Sequence, residues 1–206
     1  MGIDLAVVLS HSLEAADLVA FPERVLSSIR MRHAAEQLWQ VMQPRWPDLG
    51  TVTEFLSFQS EQQVSVSDVS TAWNRVDRDI PSFWWAGFHV CFGRHGVAAI
   101  HIEKLVGFVL DIDGLRNPLR SCAQALAHEL RSSRIVYGPD AFPPFQHAIS
   151  VCLEGGGSLT DALSDAERRC GVPVSTIREM ADEAEELNLD SKCYCVETDD
   201  LEEQLH

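Results

Sequence analysis

The chain has 206 residues, 46% of them hydrophobic, which suits one domain with a sizeable core better than two. Its 31 acidic residues face 16 Lys and Arg, a formal net charge of −15, and such a surface repels phosphate backbones and anionic lipid while attracting basic proteins. No stretch approaches the ~20 apolar residues of a membrane span, and the opening Met-Gly-Ile-Asp lacks the basic n-region of a signal peptide, so the expected location is cytoplasmic.

Taken in chain order, residues 3–9 read as a buried strand. Ser12 is placed to cap a helix, and Pro22 opens a second helical segment to about residue 43. Its apolar positions Val25, Leu26, Ile29, Leu38, Val41 and Met42 keep helical spacing, and Pro44 and Pro47 end it. Residues 52–58 alternate weakly, as a strand does, and 67–76 read as a short helix.

The strongest local signal is a hairpin. Strands at 83–92 and 97–103 flank Gly93-Arg94-His95-Gly96. Pairing Phe92 with Val97 sets His101 opposite Phe88 and Glu103 opposite Ala86. One face then carries Trp84, Phe88, Val90, Phe92, Val97, Ala99, His101 and Glu103. The other carries Phe83, Trp85, His89, Cys91, Ile100 and Ile102. Both faces are mostly apolar, so layers are expected on each, with this hairpin at the centre of the sheet.

Strand continues over 105–112. Asn117 caps a helix to about 132, and 135–137 form a short strand. Gly138, Pro139, Pro143 and Pro144 make a rigid loop, and 147–153 alternate as a strand. Helices follow at 158–170 and 175–187, then a last strand at 193–196 and an acidic tail. From Glu179 onward 11 acids face the single base Lys192, so most of the charge excess lies there. The six cysteines contain no CxxC pair and four of them sit among apolar residues, which suits free thiols, with Cys91 and Cys122 buried.

Several segments invite a chemical reading. The stretch FVLDIDGL, 108–115, resembles the first motif of haloacid-dehalogenase-type phosphatases. The resemblance implies Asp111 as phosphoryl acceptor and Asp113 as acid/base, both holding Mg²⁺. It departs at Leu115, where a Thr or Val is wanted, and it has no convincing lysine clamp; a turn at Asp113-Gly114 accounts for the pattern. AHELRSS would need a second histidine where Ser132 stands, so His128 is no zinc ligand and points to solvent. His89 with Cys91, and His101 with Glu103, each share a strand face at i, i+2, but either pair has too few ligands for a structural metal. EGGGS, 154–158, lacks the Lys-Ser/Thr of a phosphate loop and caps a helix instead. The stretch 163–180 resembles a helix-turn-helix, but Glu179, Asp182, Glu183, Glu185 and Glu186 on its second helix oppose DNA.

The fold expected is α+β: a mixed, largely antiparallel central sheet with helices on both faces and a C-terminal helical hairpin. One globular domain spans 1–190, with a last strand and acidic tail at 191–206. The favoured function is an acidic cytosolic protein-interaction module rather than an enzyme. Its basic protein partner would meet Glu179, Asp182, Glu183, Glu185 and Glu186, with no cofactor or metal. Small acidic immunity or antitoxin proteins work in this way; the likeness is one of charge and size. The alternatives are a small metal-assisted hydrolase using His101, Glu103, Asp111 and Asp113, and the helix-turn-helix nucleic-acid binder that charge disfavours.

Overall fold

The computed structural model describes residues 4–57, 64–74, 81–102, 104–109, 111–140, 146, 149–150, 159–170 and 197–201. The fold is α+β, as its sequence leads one to expect. Six strands form one sheet: β1 (Leu5–Ser10), β2 (Ser82–Trp85), β3 (Phe88–Phe92), β4 (Gly96–His101), β5 (Arg134–Pro139) and β6 (Glu197–Asp200), in the order β2-β3-β4-β1-β5-β6. Every adjacent pair is antiparallel.

The middle of the sheet is β1 beside β4, rather than the 83–103 segment alone. Residues 5–9 are wholly buried because both faces of β1 are covered. Leu5, Val7 and Leu9 enter a large core with Phe21, Met31, Leu38, Phe88, Phe92, Leu119 and Leu126. Ala6 and Val8 enter a smaller one with Ala98, Val136, Ile149, Leu159 and Ala162. Their small side chains let the second layer approach closely.

The first layer contains α1 (Ala15–Val19), α2 (Phe21–Ser27), α3 (Ile29–Met42), α4 (Val52–Leu56), α5 (Val66–Asn74), α6 (Leu105–Val109) and α7 (Arg116–Leu130). Here α3 and α7 pack on each other, and α7 on β1 and β5. On the second face, α8 (Leu159–Cys170) covers β1 through Leu159 and Ala162.

The expected register of 88–92 against 97–101 is the one found: Phe92 pairs with Val97 and Phe88 with His101. The segment 83–92, however, is two strands and not one. A two-residue turn at Ala86-Gly87, with φ +50° and +78°, reverses the chain and pairs Trp85 with Phe88. That reversal exchanges faces. Phe83 and Trp85 join Phe88 and Val90 in the core, while Trp84 shares the other face with His89 and Cys91 and is half-buried. An Ala in the first left-handed position hid the turn, since that position favours Asn, Asp or Gly.

Other boundaries move for equally local reasons. Residues 52–56 are helical, held by a capping box in which the Thr51 hydroxyl accepts from the Glu54 N–H and the Glu54 carboxylate accepts from the Thr51 N–H. Residues 105–109 are helical too. The i, i+3 pair Leu105 and Phe108 is buried, and Phe108 stacks on Tyr137 with ring centroids 4.9 Å apart. Glu14 rather than Ser12 caps α1. The segment after Pro22 breaks at Ser28, whose extended backbone ends α2 and whose hydroxyl accepts from the Met31 N–H to start α3. β5 runs on through Gly138 and Pro139, and Ile149 and Ser150 are helical where a strand was expected. The second helix of the C-terminal hairpin and the strand expected at 193–196 lie outside the described residues; the described strand there is β6.

Among the described residues β6 is fastened by two carboxylates, and Asp200 pairs with Arg134 at 2.6 Å. Asp199 pairs with Arg120 and accepts hydrogen bonds from the Tyr137 hydroxyl at 2.9 Å and the Gln124 amide at 3.2 Å. Ser132 does similar work at the far end of α7. It is fully buried, its hydroxyl donates to the Arg134 carbonyl at 2.7 Å, and it accepts from the Ser10 N–H at 3.2 Å. No helix among the described residues is long and apolar enough to cross a membrane.

Candidate functional site

His101 closes β4, flanked by Leu5 of β1 and Phe88 of β3. Its ring meets Phe88 edge-on at 4.8 Å and lies against Gly87, where a Cβ would come within 2.7 Å of Nε2. Neither ring nitrogen has a hydrogen-bond partner among the described residues. Burial, and then the positive charge of Lys104, hold its pKa down to about 3. The Ile102 backbone acts in the opposite direction and is the smallest of the three influences. His101 is therefore a neutral core residue at physiological pH. Glu103, its sequence partner, lies outside the described residues.

Asp111 and Asp113 sit on the exposed turn after α6, both left-handed, at φ +50° and +64°. Asp111 Oδ1 accepts from the Arg116 N–H at 3.1 Å, which satisfies the first turn of α7. Asp113 pairs with Arg45 at 2.6 Å. Both carboxylates thus serve the turn. The apolar run before them is a helix, where the phosphatase-like motif has a strand.

On the opposite sheet face, His89 stacks on Trp84 at 4.8 Å, and its Nδ1 lies 3.7 Å from Cys91 Sγ. Burial pushes the Cys91 thiol up to about 11, so it stays protonated at neutral pH and is a poor nucleophile. Cys91 and Cys122 are both free; Cys122 is buried as expected, Cys91 only half-buried. Among the described residues, no three His, Cys, Asp or Glu side chains gather as metal ligands would.

Three cavities stand out among the described residues, and none is lined by His101, Asp111 or Asp113. One, about 350 Å³, lies where β1 ends, beside His11, Glu14, Ser70, Trp73, Arg94 and His95. His11 Nδ1 accepts from the Leu13 N–H at 3.1 Å, so the proton sits on Nε2, which donates to the Gly93 carbonyl at 2.7 Å. Burial lowers its pKa, with His95 adding to the effect. Both nitrogens are engaged, and the ring ties the end of β1 to the β3–β4 turn. A second cavity is an apolar groove beside Val25, Leu26, Val52, Leu56 and Trp85. The third lies between α3 and α7, lined by Arg30, His33, Gln37, Ser121, Gln124 and His128. His128 is exposed, as its place off the Leu126/Leu130 stripe requires. Sequence reasoning passed over this last set, although the signal was available as polar residues at i, i+3 and i+7 on two helices.

The charge itself has a simple disposition. The buried polar and charged residues of the described chain are His11, His101 and Ser132, so none of its Asp or Glu is buried. The described ion pairs, from Arg24–Glu129 to Arg168–Asp165, each match one acid to one base and leave the net charge unchanged. The described carboxylates lie at the surface to differing degrees, Asp200 at 58% exposed and Asp199 at 11%. Glu179, Asp182, Glu183, Glu185 and Glu186 lie outside the described residues. Compared with known families, curated proteins and solved structures, the chain matches none of them.

Proposed function

We propose that this protein is an acidic, cytoplasmic protein-interaction module that captures a basic protein partner through its charge, as immunity- or antitoxin-type inhibitors do. The observation that carries this reading is that no described Asp or Glu is buried, in a chain of net charge −15. Complementary charge speeds encounter and selects partners. The hydrolase alternative draws no support from its residues: His101 is interior, and Asp111 and Asp113 hold a surface turn.

The binding surface of the proposal is Glu179, Asp182, Glu183, Glu185 and Glu186. Its test is association kinetics with the basic partner captured from host lysate, measured at two ionic strengths. The triple variant Asp182→Asn/Glu185→Gln/Glu186→Gln should keep the fold, slow association and flatten its salt dependence. An unchanged on-rate would remove this face from the proposal.

A further inference from the structure

We infer that the groove between α3 and α7 is a binding site for an oxyanion, a phosphate or carboxylate group, held by Arg30, His33 and His128. Two helical stripes face each other across it. On α3, Arg30, His33 and Gln37 recur at i, i+3 and i+7; on α7, Ser121, Gln124 and His128 do the same. Between them the buried Ala34 and Ala125 form the floor, and Leu201 closes one side. The small floor residues keep the two helices from filling the space with side chains. The result is a cleft of about 360 Å³, room for a phosphate ester or a tricarboxylate.

The chemistry of the lining is one-sided. Guanidinium, imidazole, amide and hydroxyl groups can all donate to an anion, and among the described residues no carboxylate lines the cleft. The described acids nearby already have partners, one of them the lining residue Gln124. Glu129 accepts from the Ser28 hydroxyl at 2.7 Å and pairs with Arg24, and Asp199 is held by Arg120, Tyr137 and Gln124. Arg30 itself is in no ion pair among the described residues, whereas Arg24, Arg45, Arg120, Arg134 and Arg168 each have one. An Arg in no ion pair among the described residues, flanked by two imidazoles in a recess, is suited to bidentate recognition of an oxyanion. The inference stands apart from the acidic-surface proposal, since it rests on other residues and concerns the opposite charge.

The site can be probed in the intact chain by titrating inorganic phosphate and citrate at constant ionic strength and following backbone amide NMR shifts. Saturable shifts confined to Arg30, His33, Ser121, Gln124 and His128 are expected. Arg30→Gln and His128→Gln, both exposed changes that leave the thermal melt near wild type, should each weaken binding by about tenfold, the loss of one charge-assisted hydrogen bond. A Glu202→Gln/Glu203→Gln variant distinguishes the source of the anion, because these acids directly follow Leu201 in the chain. Tighter phosphate binding in that variant would mean that the chain's own carboxylates compete for the groove; unchanged binding would assign it to a free ligand. Either result supports the site. Shifts that do not saturate, or that survive both Arg30→Gln and His128→Gln, would overturn it.

Discussion

A single buried imidazole gives this protein an acid sensitivity that can be calculated in sign. The unfolded chain takes up a proton on His101 near the ordinary value of 6.5, while the folded chain refuses it until about 3. Between those values the unfolded state binds more protons, so stability falls as pH falls from 6.5 toward 3. The slope owed to His101 is about 1 kcal/mol per pH unit over that window. His11, also lowered by burial, acts in the same direction. Urea melts of wild type and His101→Leu at pH 7, 6, 5 and 4 isolate the His101 share. The wild type should lose stability relative to the variant at each step below about pH 6. Parallel curves would mean that the ring reaches solvent or a partner. The same interior placement removes His101 from acid/base chemistry. That outcome was partly legible beforehand: the register set the ring opposite Phe88 on an apolar face, and a histidine there is more often a core residue than a base.

At the scale of elements, β6 is tied to α7 by one described residue, Asp199. It is four residues long, lies at the sheet edge, and is rich in charge that resists pairing with other chains. Among the described residues its backbone pairs only with β5, whose Arg134 meets Asp200, and Asp199 supplies the anchor to Arg120, Tyr137 and Gln124. Asp199→Asn keeps the shape and removes the charge that faces the half-buried Arg120, at a cost of roughly 1–3 kcal/mol. Amide hydrogen exchange should quicken at residues 197–200 and at their partners on β5, while β1 and β4 stay protected. Uniform quickening across the sheet would show that β6 is part of the global unit and not a separately anchored edge. Elements of this kind mark the boundary of what the sequence reveals. β1, α5, α7 and the β3–β4 register follow from apolar period and turn residues. The helices at 52–56 and 105–109 do not, because runs of five residues satisfy either period and are decided by the Thr51/Glu54 box and the Phe108–Tyr137 stack. By sequence Asp199 belongs to the acidic tail, since nothing local announces a partner 79 residues away on α7.

For the whole molecule, the question is whether the surplus charge has an energetic consequence in the absence of any partner. Like charges exposed on a compact surface repel one another more when folded than when the chain expands, so a net charge of −15 destabilises the fold at low salt. Raising salt from about 10 to 150 mM shortens the screening length from about 30 to about 8 Å, which is shorter than the span of the domain. Distant repulsion is then suppressed, while neighbouring ion pairs such as Arg45–Asp113 are weakened less. The melting temperature should therefore rise with salt, by roughly 2–4 °C for each 1 kcal/mol of repulsion removed. The variant Asp182→Asn/Glu185→Gln/Glu186→Gln lowers the net charge to −12 and should melt higher at low salt and respond less to added salt. Thermal melts of both proteins across that salt range decide the matter. If melting falls with salt, the ion pairs outweigh the repulsion, and the acid surplus carries no cost. If it rises, the fold tolerates a standing repulsion that a basic partner would relieve on binding, and the partner's stabilisation of the complex would then exceed what its direct contacts supply.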